Sequence, residues 1–152
     1  MRPPRQGMPA VTLWQPWASW IARGLKTIET RGHNRFRALV GRRIAIHAGR
    51  TFDDEAARLA APWLGAEQRE RAAEGPFPLG CIVATAEIAQ HRPLTRADSA
   101  AALCPCGVGL FGLVLTDVLA VDPPVYCRGG RGVWYLSAQM AELVSASERS
   151  FA

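Results

Sequence analysis

Two stretches of this 152-residue sequence constrain its fold most: residues 80–89 and 110–121 are long, apolar and bounded by turn residues. Runs of that length and punctuation read as buried strands, and strands need neighbours. Candidate neighbours lie on either side. Residues 11–13 open a short strand, and residues 27–31 read as extended. Residues 43–48 alternate, with Ile44, Ile46 and Ala48 on one face and Arg43, Ala45 and His47 on the other. After Pro123-Pro124 come a strand fragment at 125–127, a Gly-Gly-Arg-Gly turn and a last strand at 133–136.

Helical signals fall between these strands. Pro16 opens a helix where proline is tolerated, and Trp17, Ile21 and Leu25 recur every four residues with Trp20 beside them. Gly24 is the positive-φ residue expected to end that helix. Asp53-Asp54-Glu55 places negative charge at the start of a helix running toward Trp63, with Pro62 bending or ending it. A further helix spans about 66–74, and the 92–107 connection carries some local helix. Strict β-α alternation is absent, which argues against a doubly wound parallel sheet and for an α+β fold. The expectation is a mixed β-barrel of five to six strands with helices inserted around it.

The chain has the length of a single domain, and 49% hydrophobic residues suffice for a core without metal or disulfide help. Residues 1–9 read as a flexible leader, 10–137 as the domain, and 138–152 as a C-terminal helix or tail. No apolar run marks a signal peptide or a membrane span, so the expected location is the cytoplasm. There Cys81, Cys104, Cys106 and Cys127 are expected to be free thiols. Cys104-Pro-Cys106 has one residue between the thiols where zinc sites use two or more, so no metal is expected. Nothing calls for a cofactor, and a monomer is the expectation. The net charge of +5 and the pI near 9.6 suit an anionic partner. Arginine bias also arises from genomic base composition, so charge alone selects no partner.

The region dense in chemistry is Trp14-Gln15-Pro16-Trp17 followed by Gly24, Lys26, Glu29 and Arg31. In an extended segment Glu29 and Arg31 point to one face, with Lys26 in the turn just before. A lysine, a glutamate and an arginine at such range are expected to pair and to shift one another's protonation. A plain surface ion-pair patch would look the same. The tryptophans add stacking faces, although Trp17 also lies on the apolar helix face.

The run LWQPWASWIARGLKTIETR resembles the start of an ASCH domain, a branch of the PUA-like barrels, and Gly24, Lys26, Glu29 and Arg31 match the family's GxKxxExR motif. RRIAIHAGR, PLGCIVATAEI, GLFGLVLTDV and PPVYCRGGRGVWYL are similar to the later strands, so the resemblance spans about 10–137. The QP-x-A opening resembles the small stand-alone members of the endothelial-overexpressed lipopolysaccharide-associated factor type. The resemblance implies a cleft beside the barrel that binds RNA or a modified nucleotide. Trp14, Gln15, Pro16, Trp17, Lys26, Glu29, Arg31 and His47 are its candidate contacts. It also implies an alternative: some members are amidohydrolases acting on N4-acetylcytidine, through a lysine, a threonine three residues on and a glutamate of the central strand, and others are ribonucleases. Lys26 and Glu87 take the lysine and central-strand positions, whereas Glu29 stands where the threonine would be. A hydrolase would therefore rely on Lys26, Glu29 and Glu87.

Overall fold

The structure is a computed structural model that describes residues 7–150. Most of the expected leader lies outside the described residues. From Met8 onward the chain is tied down: the Met8 carbonyl accepts the Leu136 amide at 2.9 Å. Pro9 then begins β1 (Pro9–Gln15), followed by α1 (Trp17–Ala22), β2 (Ile28–Arg31) and β3 (Arg43–Phe52). Next come α2 (Ala56–Ala60), α3 (Ala66–Ala73), β4 (Cys81–Pro93), α4 (Ser99–Ala102) and β5 (Phe111–Tyr126). The last elements are β6 (Trp134–Tyr135), α5 (Ala138–Ala146) and β7 (Glu148–Arg149).

The strands form one mixed sheet in the order β2-β5-β4-β3-β1-β6, with β7 added to β5. The mixed α+β fold is as expected, and it corresponds to a PUA-like barrel whose hydrogen bonding does not close. Seven strands replace the expected five to six. The extra one, β7, is a two-residue pairing of Glu148 and Arg149 with Val121 and Ala120, too short and too polar to be legible in sequence. β5 also runs straight through Pro123-Pro124, a pair expected to separate two strands. The register jumps from Ala84↔Ala120 to Ile82↔Val125, so the prolines sit in a bulge where no ladder amide is required.

The main core lies between the sheet and α1: Ile44, Ile46, Ala84, Ala86 and Ile88 pack with Ala18 and Ile21. A second cluster builds the far flank of α1, where Trp20 fills a space made by Ala56, Ala60, Leu64, Ala72 and Leu103. Gly24 takes φ +76°, and the Leu25 and Lys26 amides both return to the Trp20 carbonyl at 2.9 and 3.2 Å. This is the left-handed helix ending that glycine accepts at least cost. It turns the chain directly into β2 and leaves Lys26 at the corner.

Candidate functional site

The open seam of the sheet makes the site. β6 pairs with only Pro9 and Ala10 of β1, and β2 pairs only with β5. From Val11 onward, therefore, β1 faces β2 without a ladder between them. A cleft of about 370 Å³ occupies this gap, lined by Thr12, Leu13 and Trp14 of β1 and by Glu29, Thr30 and Arg31 of β2. Trp17, Lys26, Asp53 and Cys104 complete its walls, with Leu59 at the rim. Its size lies at the small end of ligand pockets, which span about 300–1,000 Å³. A side-chain hydrogen bond crosses the seam: Arg31 Nη2 donates to the Thr12 carbonyl at 3.4 Å.

Lys26 is the floor. It is the only lysine among the 18 basic residues of the chain, and it is 1% exposed. Its Nζ donates to the Ala102 carbonyl at 2.5 Å, lies 3.8 Å from Glu29 Oε1, and sits 4.9 Å from the Trp17 ring centroid. Burial pushes the ammonium below the usual lysine value, and the Glu29 carboxylate opposes that shift. Glu29 Oε2 in turn lies 3.5 Å from Arg31 Nη2, so one carboxylate sits between two basic side chains. Arg31 stacks over Phe36 at 5.4 Å. Its Nε is buried and has no partner among the described residues.

The walls are aromatic. Trp14 is 56% exposed and presents an open ring face. Trp17 serves core and cleft together, packing edge-on against Trp20 while its Nε1 donates to Asp53 Oδ2 at 2.9 Å. In sequence Asp53 is only a helix-start charge, with nothing to mark its place at the cleft. It performs both jobs, since its other oxygen accepts the Glu55 amide at 3.0 Å. Cys104 was also missed as a wall residue. No sequence signal links it to Lys26. The link is tertiary, because α4 packs on β2 and the Thr27 amide donates to the Ala101 carbonyl at 2.9 Å. Beside Cys104, burial pushes the Cys106 thiol up to about 11, so it stays protonated near neutrality. Among the described residues no three His, Cys, Asp or Glu side chains converge as a metal site.

Four expected contacts are not in the cleft. Gln15 is fully buried: its amide nitrogen donates to Ser19 Oγ at 2.7 Å and to the Pro78 carbonyl at 2.9 Å, and its oxygen accepts the Ser19 amide at 3.0 Å. It is an internal staple with no free group to read a base. Pro16 is buried at the start of α1. Glu87 lies on β4 opposite Arg43 and Thr116, away from the cleft. Strand alternation explains this. Ala84, Ala86 and Ile88 face α1 and the core, so Glu87 shares the reverse face with Thr85, whose hydroxyl donates to Glu148 at 2.7 Å.

His47 is the fourth, and it sits 2% exposed beneath the loop after β5. Trp134 Nε1 donates to Thr12 Oγ1 at 3.0 Å, which turns the Thr12 hydroxyl proton toward His47 Nδ1 at 3.2 Å. His47 Nε2–H then donates to the Cys127 carbonyl at 2.9 Å. The network assigns a neutral imidazole with its proton on Nε2. Burial pushes its pKa below 6.5. A base with a lowered folded pKa gives full stability above its unfolded value, and that stability falls as pH drops from about 6.5 toward the folded value. Urea midpoints measured between pH 7.5 and 5 should therefore fall more steeply in the native protein than in His47→Gln. Equal slopes would refute the buried neutral imidazole.

The ASCH domain model matches residues 11–144, nearly the whole of the sheet and its helices. This chain belongs to the ASCH domain family. Its fold is similar to the crystal structure of ASCH from Zymomonas mobilis, with a TM-score of 0.59 at 13% identity, covering 95% of this chain and 98% of that one. Two mutant forms of the same Zymomonas mobilis protein are similar at 14% identity, with TM-scores of 0.59 and 0.58. At such identity the likeness is one of fold. No curated protein matches this ASCH chain in sequence. Among its described residues no helix is long and apolar enough to cross a membrane.

Proposed function

We propose that this ASCH domain binds RNA or a modified nucleotide in the cleft between β1 and β2. The observation that carries the reading is the position of Lys26: the chain's single lysine, buried at the floor of a seam walled by Trp14 and Trp17. Trp14 offers a base a stacking face. Glu29 offers an acceptor to an exocyclic amine, while Lys26 and Arg31 attract phosphate or a carbonyl oxygen. Within the family, the opening made by Gln15, Pro16 and Ala18 supports a kinship with the small stand-alone members of the endothelial-overexpressed lipopolysaccharide-associated factor type.

A nucleoside and nucleotide panel that includes N4-acetylcytidine tests the reading through thermal stability. A ligand that binds only the native state at a hundred times its Kd adds about 2.7 kcal/mol. At least one member should raise the melting temperature, and the rise should vanish in Trp14→Ala, whose exposed ring leaves the fold undisturbed. A panel with no effect on the native protein would sink the proposal.

The hydrolase reading draws support from Lys26 and Glu29 standing 3.8 Å apart at the cleft floor. It has to proceed without Glu87 and with a carboxylate in place of the threonine. Release of cytidine from N4-acetylcytidine, abolished by Glu29→Gln, would favour it. Turnover that survives Glu29→Gln would remove these residues from the role.

A further inference from the structure

We propose that a second groove, formed by Arg50, Arg128 and Arg131 around the loop at 127–130, tracks the phosphodiester backbone of single-stranded nucleic acid, with Tyr126 as a stacking platform. Two adjoining hollows of about 570 and 630 Å³ share Arg50, Gly80, Cys127 and Arg128. Neither is lined by a carboxylate. All three arginines are exposed, and among the described residues none makes an ion pair or a side-chain hydrogen bond. Arg35, Arg37, Arg42 and Arg96 are also exposed without an ion pair among the described residues, whereas Arg50, Arg128 and Arg131 line one groove together. Three uncompensated guanidinium groups around one groove are the electrostatic footprint of a polyanion.

The groove is a built surface. The loop lies directly on its support: a Cβ at Gly129 would come within 2.5 Å of His47 and 2.8 Å of Thr12, and one at Gly130 within 3.0 Å of the Trp134 ring. His47 anchors the same loop through the Cys127 carbonyl. The Trp134–Thr12–His47 chain, with His47 buried at its centre, therefore sets where Arg128 and Arg131 stand.

Two features select nucleic acid among polyanions. Tyr126 is 67% exposed and lines the groove beside Arg50 and Arg128, the pairing of aromatic face and cation that single strands use. Thr12 lines both this groove and the Lys26 cleft, so a strand lying along the arginines passes the cleft mouth. That choice of polymer rests on reading the cleft as a nucleotide site, and the two claims are tested apart.

The test is anisotropy of short labelled single strands of RNA, and of DNA of the same sequence, titrated at several salt concentrations. The native protein is compared with the Arg50→Gln/Arg128→Gln/Arg131→Gln triple variant and with Tyr126→Ala. The triple variant should bind on the order of a hundredfold more weakly at 50 mM salt, and its log-log salt slope should shrink by about 2, since each single-strand phosphate contributes about 0.7. Tyr126→Ala should weaken binding about fivefold or more through lost stacking. Equal binding of RNA and DNA supports backbone tracking; tighter RNA supports it and adds a role for the ribose hydroxyl.

The corresponding triple lysine variant keeps the charge and should keep the salt slope, which separates charge loss from any folding defect. An unchanged slope in the glutamine variant would overturn the proposal. So would a heparin chain that competes equally while Tyr126→Ala has no effect, because that marks a surface for any polyanion. If the nucleotide panel fails and the triple variant still loses oligonucleotide, the cleft reading falls and the groove stands.

Discussion

Trp20→Ala is expected to destabilise the domain by about 3–5 kcal/mol, among the largest effects of any single truncation in this protein. Trp20 is 1% exposed and is the largest of the fully buried side chains. It fills the space between α1 and the segment from α2 to α3, touching Ala56, Ala60, Leu64 and Ala72. Most of these partners are alanines, too small to close over the void. The indole Nε1 also donates to the Ala72 carbonyl at 2.9 Å, so truncation strands a buried acceptor as well. For a chain of this size each kcal/mol moves the melting temperature by about 2–4 °C, which places the expected fall at about 6–20 °C. Trp20→Phe keeps most of the ring contact, loses the hydrogen bond and should cost far less. A fall of only a degree or two in Trp20→Ala would mean that α1 does not pack on these helices. The consequence reaches the site, because Trp17 packs edge-on against Trp20 at 5.1 Å and forms a wall of the cleft.

Lys26→Ala is expected to weaken nucleotide binding by about 2–5 kcal/mol, roughly thirtyfold or more. The ammonium is the only cation on the cleft floor. It is held in place by Ala102 and Glu29, so a ligand gains its charge without ordering a flexible side chain. Lys26→Arg should not restore binding. A planar guanidinium is larger than an ammonium and cannot occupy a slot closed by one carbonyl, one carboxylate and an indole face. The Ala102 carbonyl loses its donor in Lys26→Ala, which costs about 1–3 kcal/mol of stability. That is less than the Trp20→Ala penalty, so the variant remains folded for titration. Calorimetry showing undiminished affinity in Lys26→Ala would remove the lysine from the site.

Periodicity and turn chemistry were local, and they located the long strands, the α1 stripe and the glycine that ends it. Glu29 and Arg31 were placed on one face by alternation alone, and they lie within 3.5 Å of each other. The same alternation was available for Glu87, but it does not say which face of a strand the next helix will cover. Gln15 and His47 misled for a related reason. A polar residue in a motif or on a strand looks like a ligand contact until its hydrogen bonds are known, and both spend every polar atom inside the protein.

By itself, then, the sequence determined a mixed α+β sheet entered through the Trp14–Arg31 segment, with Lys26, Glu29 and Arg31 gathered at one helix-to-strand corner. These follow from spacings of two to five residues, which backbone geometry converts directly into shared faces. Only the tertiary structure decided that the sheet stays open between β1 and β2, and that the corner therefore faces a cleft. It also brought Asp53 and Cys104 to the walls, sent Glu87 to the reverse face, and buried His47 under an arginine-bearing loop. Each of these depends on residues distant in sequence, through register, bulges and helix packing that no local pattern encodes.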